Sequence, residues 1–193
     1  MLRITDFLKA DMVARVARFL DREAIYEQVY SLYATPEGGG VSADVWQTTA
    51  SNECWFSLGV SSGPGPRFRL SPNLLACLDF RRVLATPAFK AYMSAITGLP
   101  LGRFRPRSAH RMRVGDLIAP HSDRTGCNRL AFIVYLSPDW KADYGGELIM
   151  IGENNEFSKI EVTFNSLLLF DVTTQKSHCV TDIRSIAGET SPG

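Results

Sequence analysis

Residues 111–151, RMRVGDLIAPHSDRTGCNRLAFIVYLSPDWKADYGGELIMI, decide the fold. Short apolar runs alternate here with turn-forming residues, and no helical repeat intervenes. The same texture continues on both sides. It predicts strands over 109–114, 117–121, 129–136, 147–151, 159–164, 166–171 and 178–183. Strands at this spacing, without helices between them, imply an antiparallel sandwich or barrel.

The chain has three histidines, His110, His121 and His178. His121 and Asp123 stand two apart after the apolar approach Leu117, Ile118 and Ala119. On an extended backbone that spacing turns both side chains to one face. His178 follows another apolar run, LLLFDV, so a later strand can carry its imidazole alongside them. Two neutral imidazoles and one carboxylate on one side of a metal leave the opposite positions free, as in a non-haem Fe(II) oxygenase. Read bare, the same residues also fit a surface turn after Pro120 and an ordinary strand histidine.

The surrounding motifs separate these readings. Gly115 to Asp123 reads G-x-x-x-x-P-H-x-D, Tyr135 to Trp140 reads YLSPDW, Gly145 to Leu148 reads GGEL, and an N-S-L-L-L-F-D strand precedes SHCV at Ser177 to Val180. Across residues 105–185 the chain resembles the prolyl 4-hydroxylase-like branch of the 2-oxoglutarate and Fe(II)-dependent dioxygenases. The resemblance implies an α+β, mainly β fold, a double-stranded β-helix (jelly roll) with N-terminal supporting helices. It implies a metal site of His121, Asp123 and His178 and the requirements Fe(II), 2-oxoglutarate and O2, with no catalytic residue beyond the ligands. Tyr135 and Leu148 are implied contacts of 2-oxoglutarate. The expected reaction hydroxylates an amino-acid side chain, with succinate and CO2 as coproducts, and Asp123 favours hydroxylation over halogenation.

Two positions depart from the family pattern. Met112 stands where relatives often carry a tyrosine, and the window 187–190, where an Arg or Lys is implied for the far carboxylate of 2-oxoglutarate, has neither. A planar cation is the natural partner of that carboxylate. Arg184 is the candidate replacement, Arg111, Arg113 and Arg129 are further ones, and the residue can also lie on a final strand beyond Gly193. The gap motivates an alternative, a metal-binding jelly-roll sensor or binding module with impaired cosubstrate turnover. A cupin-like metal enzyme without an oxoacid is a weaker third reading, because His110 is its only spare histidine.

Composition bounds the remaining choices. At 193 residues the chain suits a single domain over 1–193, with helical support and loops over 1–100 and the jelly-roll core over 101–193. A net charge of +1 advertises neither nucleic acid nor an anionic membrane as partner. The expected partner is a small-molecule, peptide or protein substrate. Arginines 103, 105 and 107 alternate, which suits the outer face of an edge strand. Four dispersed cysteines, Cys54, Cys77, Cys127 and Cys179, form no C-x-x-C pair, so a reducing, cytoplasmic compartment is expected, with the thiols as packing residues. The N-terminus lacks the pattern of a secretory signal, and no apolar run reaches membrane-spanning length.

Upstream, apolar spacing from Phe7 to Leu20 predicts one or two amphipathic helices over 5–32, capped by Thr5 or Asp6, with Phe19, Tyr26, Tyr30 and Tyr33 in the core. Helix-breaking loops are expected at 35–42 and 61–67, flanking an active-site mouth, with strand over 45–60 between them. Ser71-Pro72 and Thr86-Pro87 announce two helices, the second ending at Gly98.

Overall fold

The computed structural model describes residues 1–33, 40–64, 70–101, 109–124 and 129–184. In chain order its elements are β1 (Leu2–Ile4), α1 (Ala10–Arg22), β2 (Ala24–Leu32), β3 (Gly40–Val41), α2 (Ala43–Thr48), β4 (Cys54–Pro64), α3 (Pro72–Leu84), α4 (Pro87–Thr97), β5 (His110–Arg111), β6 (Leu117–His121), β7 (Leu130–Tyr135), β8 (Leu148–Ile151), β9 (Phe157–Ile160), β10 (Ser166–Asp171) and β11 (Ser177–Val180). A 3-10 turn at Ala142–Tyr144 precedes the Gly145-Gly146 pair.

The strands make two antiparallel sheets. The smaller runs β1-β10-β7 and the larger β3-β2-β4-β6-β11-β8-β9, with β5 attached to β4. The apolar run of β10 explains the layering, because it is covered on both faces. Leu167 and Leu169 pack with Val16, Phe80, Phe89 and Met93 of the helices, whereas Leu168 and Phe170 pack with Leu148, Ile160 and Val172. The second cluster is the interior of the jelly roll, closed by Ile133 and Tyr135 from β7 and by Met150 and Val180 from the other sheet. Each such side chain removed from water contributes about 1.5–3 kcal/mol.

Local chemistry sets the helix ends. Ser71 Oγ accepts from Leu74 N and Thr86 Oγ1 from Phe89 N, each with proline in the first turn, and Gly98 closes α4 at φ 67°. Both helices match their expected bounds. No helix among the described residues is long and apolar enough to cross a membrane.

Several expectations are corrected. The helix foreseen over 5–32 stops at Arg22, and Ala24–Leu32 is a strand paired with β4 along its whole length. Its aromatic and β-branched residues gain more from that ladder than from continued helix. Lys9, not Thr5 or Asp6, is the N-cap of α1 and makes no side-chain bond there. Asn165 does the anchoring instead: its Oδ1 accepts from Leu8 N and its Nδ2 donates to Leu8 O. Strand was expected from Val45, yet Ala43–Thr48 is helical, with Trp46 against Tyr30 at 5.5 Å. Ser61 to Pro64 extends β4 instead of breaking it, because β2 offers partners there. Tyr33, expected in the core, is 47% exposed.

The seven strands foreseen downstream are all present. The first shrinks to His110–Arg111, the fifth begins earlier at Phe157, and the last ends at Val180. Residues 34–39, 65–69 and 102–108, and with them most of both expected loops and the alternating arginines, lie outside the described residues, as does Cys127.

Candidate metal centre

The centre lies where β6 and β11 meet. His178 is the direct cross-strand partner of His121, with the rings 4.3 Å apart, and the register shifts between His178 and Val180. Asp123 follows just past the end of β6. Its Oδ1 is 3.8 Å from His121 Nε2 and its Oδ2 is 3.5 Å from His178 Nε2. One donor atom from each residue lies within 4.8 Å of the others.

Buried polar contacts hold both ligand-bearing segments. Asp116, 5% exposed at the entry to β6, accepts from Gln28 Nε2, Ser57 Oγ and Arg113 N, all at 2.8 Å. Tyr33 donates its hydroxyl to Pro120 O at 2.6 Å. Arg124, next after Asp123, donates to Val172 O and Thr173 O and pairs with Glu153 at 2.6 Å, tying the first segment to the turn that leads into β11.

His121 places Nδ1 3.0 Å from Ala119 O. A carbonyl can only accept, so Nδ1 carries a hydrogen, which in the neutral ring leaves Nε2 as the nitrogen able to donate to an ion. His178 is 5% exposed, and burial, then the neighbouring His121, pushes its pKa well below the usual imidazole range, with Asp123 opposing. It is therefore neutral near pH 7, as a metal donor must be. Two neutral imidazoles and a half-exposed carboxylate fit a divalent first-row ion with open positions. Phe170 meets His178 edge-on at 5.3 Å, Trp55 meets His121 at 6.0 Å, and Tyr33 stacks on Trp55 at 6.1 Å. An aromatic wall thus flanks the ligands, with its outer member half exposed.

The remaining expected residues separate. Tyr135 and Leu148 come together in the interior cluster. Burial pushes the Tyr135 phenol up to about 12, and the charge of Arg3 partly opposes the shift. Arg184 is not brought to that face. It ion-pairs with Glu147 at 3.4 Å, and Glu147 directly precedes the inward-facing Leu148 and also bonds Lys159 at 2.7 Å. Neighbouring residues on an extended chain point to opposite sides, so Arg184 is engaged outside the interior cluster. Arg129 lies 3.7 Å from Asp171, Arg111 stands over the Tyr26 ring, and His110 is exposed on β5. Trp140 and the glycine pair play a structural part: the indole donates to Gly145 O, and a side chain at Gly145 would collide with Asp182 O.

Sequence reasoning missed Arg3 and Gln175. Arg3 pairs with the inward-facing Leu168, so its side chain leaves β1 on the interior side, where it donates to Thr163 Oγ1 and Glu161 O. The signal was the alternation LRI at the N-terminus, usable only once β1 is known to border β10. Gln175, 6% exposed, reaches His178 Nδ1 at 3.2 Å. Its position three residues before the histidine carried no pattern.

Comparison with known proteins agrees with this geometry. Residues 108–188 match the family model of the 2OG-Fe(II) oxygenase superfamily. Prolyl 3-hydroxylase OGFOD1 of Mus musculus is 27% identical over 110 residues, and that of Xenopus laevis is 28% identical over 103. These alignments cover 54% and 50% of this chain but 20% of each relative, so the match spans about a fifth of those proteins' length. Among solved structures, a Pseudomonas putida prolyl-4-hydroxylase superposes with a TM-score of 0.58 at 17% identity, covering 95% of this chain and 85% of that one. A 2OG-Fe(II) oxygenase family oxidoreductase of Burkholderia pseudomallei gives 0.64 at 13%, covering 96% and 79%. A Trichoplax adhaerens prolyl hydroxylase, in complex with a hypoxia inducible factor oxygen degradation domain peptide fragment, gives 0.53 at 15%, covering 95% and 78%. The segment that brings His121, Asp123 and His178 together thus lies within residues 108–188, the part of the chain that is similar to the 2OG-Fe(II) oxygenase superfamily.

Proposed function

We propose that this chain is an Fe(II)- and 2-oxoglutarate-dependent dioxygenase that hydroxylates an amino-acid side chain within a peptide or protein. The observation that carries the reading is the convergence of one donor atom each from His121, Asp123 and His178 within 4.8 Å, beside an aromatic wall. Bound there, iron would supply oxidative decarboxylation of 2-oxoglutarate and oxygen insertion into a substrate C–H bond. The chain's own task is to hold the ion by its two imidazoles and carboxylate, to orient the reactants, and to shield the centre from water.

Tyr135 and Leu148, sharing the interior, are the polar and apolar contacts we assign to 2-oxoglutarate. For its far carboxylate, Arg3 is better placed than Arg184, because Arg3 shares the interior side with Tyr135 and two hydrogen bonds leave further guanidinium donors unspent. The prolyl hydroxylases among the relatives, one of them bound to a peptide, support a peptide or protein substrate. A prolyl ring would lie well on the Tyr33-Trp55 stack. Free thiols at Cys54, Cys77 and Cys179 suit a reducing compartment.

The engagement of Arg184 by Glu147 keeps a second reading alive, a metal-binding module without turnover. One experiment separates the two. Anaerobic protein loaded with Fe(II) develops a visible charge-transfer band when 2-oxoglutarate is added, His121→Ala lacks the band, and air then yields succinate. Metal binding with neither band nor succinate would leave the module standing.

A further inference from the structure

Gln175 sits in the turn between β10 and β11, buried to 6% exposure, with Nε2 3.2 Å from His178 Nδ1. Its other amide atom, Oε1, is buried without a hydrogen-bond partner among the described residues. The two facts make sense together once the protonation of His178 is followed. Its Nε2 faces Asp123 Oδ2 at 3.5 Å, the side on which an ion shared with Asp123 would sit, and a ligating Nε2 must offer its lone pair there. A neutral imidazole that donates through Nε2 carries its hydrogen on Nδ1. An Nδ1–H group cannot bond an amide NH2, since both are donors. Turning the amide by half a revolution exchanges O for N at almost no steric cost, and Oε1 then accepts from Nδ1–H. The amide nitrogen takes the partnerless position, where a buried water can serve it.

His121 meets the same requirement through the backbone, with Nδ1–H donating to Ala119 O at 3.0 Å. Among the described residues no backbone carbonyl is bonded to His178 Nδ1, and Gln175 is the group that reaches it. We propose that Gln175 is the positioning residue of the centre, presenting its amide oxygen to His178 Nδ1–H and so fixing the tautomer and ring plane that offer Nε2 to the ion. This rests on the metal site proposed above. It adds an assignment the three ligands do not contain.

The test is Co(II) titration of the full chain, followed by visible absorption, for wild type, Gln175→Met and Gln175→Glu. Methionine keeps the volume and removes the acceptor, and affinity should fall about 10- to 100-fold. Glutamate restores an acceptor, and affinity should return to within about threefold of wild type or exceed it. A packing role predicts the reverse order, methionine tolerated and the buried carboxylate harmful, and that result overturns the proposal. Equal losses in both variants overturn it too. Nitrogen NMR of the Zn(II)-loaded wild type adds a check without any variant: an unprotonated His178 Nδ1 refutes the assignment. Wild type that binds no Co(II) removes the metal site and this inference together, whereas firm binding with unaffected Gln175→Met removes the inference alone.

Discussion

His121 and His178 are direct partners across the β6-β11 ladder, with ring centroids 4.3 Å apart, although 57 positions separate them in the chain. Neither strand alone presents the centre, so an ion bound by both links them. Bound only by the folded state, an ion at a hundredfold excess over its Kd stabilises the fold by about 2.7 kcal/mol. Thermal unfolding with and without Mn(II) or Zn(II) should show a shift of several degrees in wild type and none in His178→Ala.

Glu147 is a buried carboxylate, 5% exposed, paired with Lys159 at 2.7 Å and Arg184 at 3.4 Å and bonded by Thr181 Oγ1 at 2.5 Å. Hydrogen bonds from Lys159 and Thr181 lower its pKa from 4.5 to about 2. Because the folded value lies below the ordinary one, the stabilisation is fully present above pH 4.5 and disappears as pH falls toward 2. Glu147→Gln should cost about 1–3 kcal/mol near pH 7, allowing for screening by its exposed partners, and should flatten the acid limb between those values. Urea unfolding at several pH values measures both.

Arg3 leaves β1 on the same side as Leu168 and influences Tyr135. Arg3→Met keeps most of the apolar stem and removes the cation. The expected result is at least a tenfold weaker Kd for 2-oxoglutarate with Co(II) affinity unchanged, read by calorimetry on the metal-loaded protein. Unchanged 2-oxoglutarate binding would return the role to Arg184 or to a residue outside those described.

Leu168 is fully buried between the sheets and Leu167 fully buried against the helices. Leu→Ala at either position should cost about 2–5 kcal/mol by denaturant unfolding. Only the Leu168 variant opens the interior beside Tyr135. It should weaken 2-oxoglutarate binding more than its neighbour does at matched folded fraction.

The downstream half was legible because its signals are local. Alternation and turn residues placed β6 and β10 to the residue, and the P-H-x-D and SHCV motifs named the three side chains that converge. Strand β2 was lost because Ala24–Leu32 directly follows a good amphipathic helix and declares itself only through its pairing with β4. Arg3 and Gln175 were invisible for the same reason, since their meaning depends on which strand lies beside β1 and which ring nitrogen faces the turn after β10. Arg184 was chosen by distance along the chain, while the alternation at Glu147 and Leu148 sends it to the outside.

The direct opposition of the two histidines turns coordination into a gauge of strand alignment. A slip of β11 by one residue would set Ser177 or Cys179 against His121 and turn His178 to the other face of the sheet. A mispaired but compact chain would therefore lose the ion before it lost much secondary structure, and metal content in purified material would count correctly assembled molecules where circular dichroism would not.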